Sequence, residues 1–213
     1  TLGIFGKTGS GKSTIANLMC RLYDTDNGSI LFGNTDVKEL NLSQLRQNIG
    51  YVPQDGFLFS GTANQNISFG KDRYQQSEII NATNTAEITE EIENFPDKYD
   101  TIIGERGVQL SGGQRQRISI ARAIFIKPPI YIFDDCLSAI DANKEQKILK
   151  NLKNITSNNT NIIISHRTSS IKNANHIIVL DKGEITEEGT HYELIKNNGF
   201  YAEIHKKQTT ENL

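Results

Sequence analysis

The chain has 213 residues, with 23 Lys plus Arg against 25 Asp plus Glu and a net charge of −2. That length holds one full hydrophobic core or at most two small ones, and the near-balanced charge gives no electrostatic reason for nucleic acid or an anionic membrane as a general partner. No segment has the unbroken apolar length of a membrane span or the layout of a signal peptide.

In chain order, Thr1 to Phe5 reads as a short buried strand that runs straight into glycine-rich GKTGSGKST. A chain that opens inside its own core is expected to be cut from something longer. Residues 13 to 23 place Ile15, Leu18, Met19 and Leu22 at helical spacing. GSILFG reads as a turn with strand edges, NLSQLRQNI as a helix capped by Asn41 or Ser43, and IGYVPQ as a strand closed by Pro53. From about Asp55 the texture becomes polar and helical, as in SEIINATNTAEITEEIENF, and this predicts an inserted helical lobe. PIYIFDD, TNIIISH and HIIVLDKG then return as Ile/Val-rich strands with helices between them. Such alternation predicts an α/β fold with a mainly parallel sheet covered on both faces. Its ligands are expected at the C-terminal ends of the strands. The Glu-rich runs EITEEIE and EITEEG read as solvated faces. Cys20 and Cys136 have no metal-ligand spacing, so two buried free thiols in a reducing, cytosolic setting are expected.

Three stretches carry chemistry. GKTGSGKS, Gly6 to Ser13, has the phosphate-loop spacing between a strand and a helix. Its glycines let backbone N–H groups wrap a phosphate, and the helix N-terminus favours the same anion. Lys12 supplies a fixed cation for the outer phosphates, and the Ser13 hydroxyl is suited to Mg²⁺. Asp134 ends the apolar run Ile130 to Phe133, where a carboxylate can hold the magnesium shell. LSGGQRQR, Leu110 to Arg117, opens a second helix on Ser111, Gly112 and Gly113. Taken alone, that is equally well an ordinary cap.

Taken together, the phosphate loop, VPQ at Gln54, LSGGQ, FDD, SAID and ISHR resemble the nucleotide-binding domain of ABC transporters in order and spacing, from residue 1 to about residue 208. DGFLFSGTANQNISFG, YDTIIGERG and the closing GEITEEGTHYELIKNNGFYAEIHKKQ are similar to the exporter type, with the membrane region and the first strands of the domain ahead of residue 1. The resemblance implies a P-loop NTPase fold, with core segments 1–54 and 126–196, a helical subdomain 55–125 and a C-terminal helix at about 197–208. It implies ATP and Mg²⁺ as ligands. Nucleotide contacts would come from Gly6, Thr8, Gly9, Ser10, Gly11, Lys12, Ser13 and Thr14, and across a dimer from Ser111, Gly112, Gly113 and Gln114. Ser13, Gln54 and Asp134 would serve the metal, and Asp135, His166 and Gln54 would form the catalytic set. Asp141 would lie in the loop that crosses the dimer. The adenine-stacking aromatic of the family would precede residue 1.

The implied partners are a second nucleotide-binding domain, in head-to-tail array, and a transmembrane domain, at the cytoplasmic face of the cell membrane. Asp135 stands where the family has glutamate. One methylene shorter, it holds its oxygens roughly 1 Å further from the attacking water, and a misplacement of that order costs about 10²-fold in rate. An impaired site within an asymmetric pair is therefore expected, which favours a different chain as partner. The alternative is a regulatory module in which ATP closes a dimer and hydrolysis is incidental.

Overall fold

In the computed structural model of the chain, residues 1–71, 73–104 and 107–211 are described. They form two compact units: Thr1–Tyr51, Pro129–Asp135 and Thr160–Leu213 make one, Val52–Pro128 and Cys136–Asn159 the other. Among the described residues no helix is long and apolar enough to cross a membrane.

The first unit is built on a six-stranded sheet in the order Glu184–Gly189, His176–Asp181, Leu2–Gly6, Thr160–Ser165, Ile130–Asp134 and Ile49–Val52. Leu2–Gly6 pairs parallel with both neighbours, as does Ile130–Asp134 with Thr160–Ser165. Among the pairings described within this sheet, only the edge strand Glu184–Gly189 is antiparallel to its neighbour. Successive side chains of a strand face opposite ways, and here both faces are covered. Ile4 packs with Ala16, Leu45, Ile132, Ile164 and Leu180 on one side. Phe5 packs with Ile171, Val179, Leu194 and Tyr201 on the other. Burying both faces explains the continuous Ile/Val runs, and it brings Gly6, Asp134 and Ser165 to the same end of three adjacent parallel strands.

The phosphate-loop helix is shorter than its apolar spacing predicts. It spans Lys12–Met19 with Cys20 as C-cap. Arg21 then turns left-handed (φ 49°) and donates from its guanidinium to the carbonyls of Val37 and Leu40. Leu22 therefore falls beyond the helix and is exposed. Asn41 caps the next helix, Leu42–Gln47, by accepting from the N–H groups of Ser43 and Gln44. EITEEG is an exposed edge strand, and the C-terminal segment is two helices, His191–Asn197 and Phe200–Glu211. Both cysteines are buried and outside any disulfide, and burial pushes Cys20 up to about 11.

The second unit is mainly helical, with Ala63–Ile67, Gln76–Thr85, Thr89–Glu93, Gly112–Ile126 and Ala142–Ile155, plus a small strand pair, Gly61–Thr62 with Ile102–Ile103. Cys136–Asn159, read with the core from sequence, clusters with this unit: Asn151 donates to the Thr85 carbonyl and the Glu87 carboxylate. Glu91, read as part of a solvated face, instead accepts from buried Arg117 through both carboxylate oxygens and pairs with Lys144. Glu105 and Arg106 of YDTIIGERG lie outside the described residues.

Candidate functional site

The loop from Gly6 to Ser13 turns on two left-handed glycines, Gly9 (φ 83°) and Gly11 (φ 100°). A side chain at either would meet little or nothing, so the requirement is for the backbone angle. Gly11 is also the N-cap of Lys12–Met19, and as a glycine it brings no side-chain cap bond to that helix end. The first-turn N–H groups have no intrahelical partner. Lys12 is buried, and its ammonium donates to the carbonyls of Gly6 and Lys7, both at 2.8 Å. The cation is thus tied across the mouth of its own loop. Burial lowers its pKa, while Asp135 and Asp134 raise it. The Ser10 hydroxyl is buried without a hydrogen-bond partner among the described residues, and Ser10 holds the loop to the sheet by accepting from Gly183 N–H through its carbonyl. Thr8 and Thr14 flank this turn.

Opposite the loop, Asp134 is buried and accepts from Ser13 Oγ at 3.1 Å and from the Tyr51 hydroxyl at 3.3 Å. Burial raises its carboxyl pKa, the bonds from Ser13 and Tyr51 lower it, and Asp135 adds to the rise. A carboxylate held in this way gains from any cation brought within reach. Among the described residues no three His, Cys, Asp or Glu side chains gather to enclose a metal. The donor set present, one hydroxyl and one carboxylate beside an anion-seeking loop, instead fits an ion such as Mg²⁺ that arrives bound to phosphate oxygens.

Asp135 follows in a left-handed conformation (φ 47°), with its N–H bonded to the Ile164 carbonyl. Aspartate visits this region more readily than glutamate. Its carboxylate meets His166 Nδ1 through both oxygens, at 2.7 and 3.0 Å, and Ser165 Oγ stands 3.5 Å from one of them. The two catalytic candidates of this unit are therefore one hydrogen-bonded pair, with His166 Nε2 left as the ring atom able to reach outward.

In the second unit, Ser111 caps Gly112–Ile126 in a closed capping box: its hydroxyl accepts from Gln114 N–H at 3.2 Å, and Gln114 Oε1 accepts from Ser111 N–H at 2.8 Å. A Cβ at Gly113 would lie 2.9 Å from the Ala139 carbonyl, whereas one at Gly112 would meet nothing nearer than 3.9 Å. Gln54 has an exposed side chain, and its carbonyl accepts from the amide of buried Gln116. Asp141 caps Ala142–Ile155 through Lys144 N–H. Tyr51, Gln116 and Gln208, whose amide bonds the His166 carbonyl, were missed by sequence reasoning, because each acts on a partner far away in sequence that no spacing marks.

The sequence model of the ABC transporter family matches residues 1–138. A probable multidrug resistance ABC transporter ATP-binding/permease protein of Bacillus subtilis is 46% identical over 98% of this chain and 36% of its own length. An ATP-dependent lipid A-core flippase of Haemophilus influenzae is 44% identical over 99% of this chain, again matched over 36% of its length. The structure of a bacterial Atm1-family ABC exporter with ATP bound superposes with a TM-score of 0.93 at 42% identity, covering 98% of this chain and 37% of that one. The chain thus spans about a third of the length of these relatives. With an α/β sheet, a phosphate loop and matches along nearly its whole length, the chain belongs to the ABC transporter family, as an ATP-binding domain of the exporter type.

Proposed function

We propose that residues 1–213 are one nucleotide-binding domain that binds Mg–ATP on Gly6–Thr14 and hydrolyses it slowly at its own site, driving export through a transmembrane partner at the cytoplasmic face of the membrane. The observation that carries this reading is the uncapped, glycine-turned helix end with Lys12 across it and the Ser13–Asp134 bond beside it. Magnesium, when bound, offsets the charge of the outer phosphates. The backbone of Gly9 to Ser13 would orient those phosphates, Lys12 would move from loop carbonyls to phosphate oxygens, and Ser13 and Asp134 would hold the metal shell. Asp135 would stand beside the attacking water as a poor base, one methylene short and engaged by His166, and His166 Nε2 would face the outer phosphate.

The exporter relatives are ATP-binding/permease proteins, which supports a membrane partner. A second nucleotide-binding domain, head to tail, would receive Ser111, Gly112, Gly113 and Gln114 at its nucleotide, with Asp141 at the crossing. A slow site makes a different chain the better partner. Asp135 is short, and both its oxygens are engaged by His166. That same observation favours the second reading, a regulatory module in which ATP closes the dimer.

Steady-state ATP hydrolysis by the chain alone, and mixed with a nucleotide-binding domain that carries glutamate at the matching position, tests this. Low turnover alone and a several-fold gain in the mixture are expected. Full turnover by the chain alone would overturn the slow-site reading, and no gain on mixing would favour the regulatory module.

A further inference from the structure

We propose that Gln208, in the last turns of the C-terminal helix, is a positioning residue that clamps the backbone around His166 and so holds the ring on Asp135. This rests on the reading of His166 as the group facing the outer phosphate. Gln208 Nε2 donates to the His166 carbonyl at 2.9 Å, and its Oε1 accepts from Thr168 N–H at 2.9 Å and Thr168 Oγ1 at 3.1 Å. A carbonyl can only accept and a peptide N–H can only donate, so the two partners fix which way the amide faces. One side chain thereby bridges the peptide units on either side of Arg167, at the point where strand Thr160–Ser165 gives way to the short helix Thr168–Ile171.

The His166 ring is 43% exposed, so close packing does not set its direction. Its backbone and its bond to Asp135 do. The clamp itself is firmly based. Tyr201 is fully buried against Phe5, and His205 bonds buried Thr168 from the same helix face, which helical spacing continues to Gln208. The core contact of the C-terminal helix is thereby linked to the orientation of a ring at the strand ends.

The test uses the ¹⁵N-labelled chain and its imidazole signals, with His166 identified by the signal lost in His166→Ala. Gln208→Glu keeps an acceptor for Thr168 N–H but removes the donor to the His166 carbonyl, and Gln208→Ala removes both. Thr210→Ala, at an exposed position of the same helix, is the control. Both Gln208 changes are expected to move the His166 signals and to lower kcat for ATP about three- to ten-fold, the scale of one hydrogen bond, with KM unchanged. The control should do neither. Unmoved His166 signals in Gln208→Glu, or a response no different from Thr210→Ala, would overturn the proposal. If the unaltered chain turns over no ATP, the functional reading fails, while the His166 signals still decide whether Gln208 sets the ring.

Discussion

The chain carries two glycine-rich helix starts, and they are built on opposite plans. At Gly6–Ser13 the glycines are needed for backbone angles, no side chain caps the helix, and a buried lysine is tied to the loop carbonyls. At Ser111–Gln114 the cap is closed by the protein's own side chains, and Gly113 is needed for space against Ala139. The first start leaves its donors open to a ligand, so it can serve as a binding site by itself. The second has its Ser111 and Gln114 N–H groups satisfied from within the protein. Arg117, on the same helix, is tied through Glu91 to Lys144 of a third helix.

The largest expected effect falls on the open start. Lys12→Ala removes the loop's fixed cation and its two carbonyl tethers, and calorimetry should show Mg–ATP affinity falling by about 100-fold or more, given the strength of charge-assisted bonds. Tight binding by that variant would erase the contrast. Next comes Glu91→Gln, which leaves buried Arg117 and its neighbour Lys144 without their carboxylate. Denaturant unfolding should show a loss of about 1–2 kcal/mol, less than for a fully buried pair because Glu91 is partly exposed. Despite its burial, Glu91 is held down to about 2 by its bonds to Arg117, Lys144 and Gln114. Its folded pKa lies below the unfolded one, so its contribution is present above about pH 4.5 and is lost as pH falls towards 2. The variant should lack that acid limb.

Effects of similar or smaller size separate the glycines of the closed start. Gly113→Ala forces a Cβ onto the Ala139 carbonyl and should destabilise by about 1–3 kcal/mol. Gly112→Ala meets open space and should be neutral or stabilising by up to about 1 kcal/mol through helix propensity. Ser111→Ala opens the capping box at a cost of about 1 kcal/mol. None of these should change Mg–ATP binding by the chain's own loop. If they do, the two starts are not independent in the way their local chemistry implies.

The phosphate loop, the strand ending on Asp134 and the Ser111 cap were legible as local structure because each is written in contiguous residues, although the spacing at Ser111 left its role open between cap and phosphate site. The parallel sheet was legible from its Ile-rich runs for the same reason. What escaped was long-range or irregular. The Tyr51 hydroxyl meets Asp134, and Gln116 meets the Gln54 carbonyl, across wide gaps in sequence that no periodicity marks. Leu22 continued a helical spacing that Arg21 ends by bonding to a distant turn. Glu91 lay in a run whose composition reads as solvent-facing, yet its partners come from two other helices. Asp135 was singled out by its departure from the family pattern, but its left-handed backbone and its bond to His166 needed coordinates.

The central claim is that Asp135 is too short, and too closely held by His166, to serve as an efficient base. Steady-state ATP hydrolysis by the chain mixed with a nucleotide-binding domain that carries glutamate at the matching position, with Asp135→Glu and Asp135→Asn compared side by side, tests it most directly. The added methylene should raise turnover at this site by about ten-fold or more, a recovered barrier of about 1.4 kcal/mol, against a folding penalty of about 1 kcal/mol for glutamate in the left-handed region. Asp135→Asn should change the rate little. If Asp135→Asn stops turnover while Asp135→Glu adds nothing, aspartate is a working base and the account of a slow site is wrong.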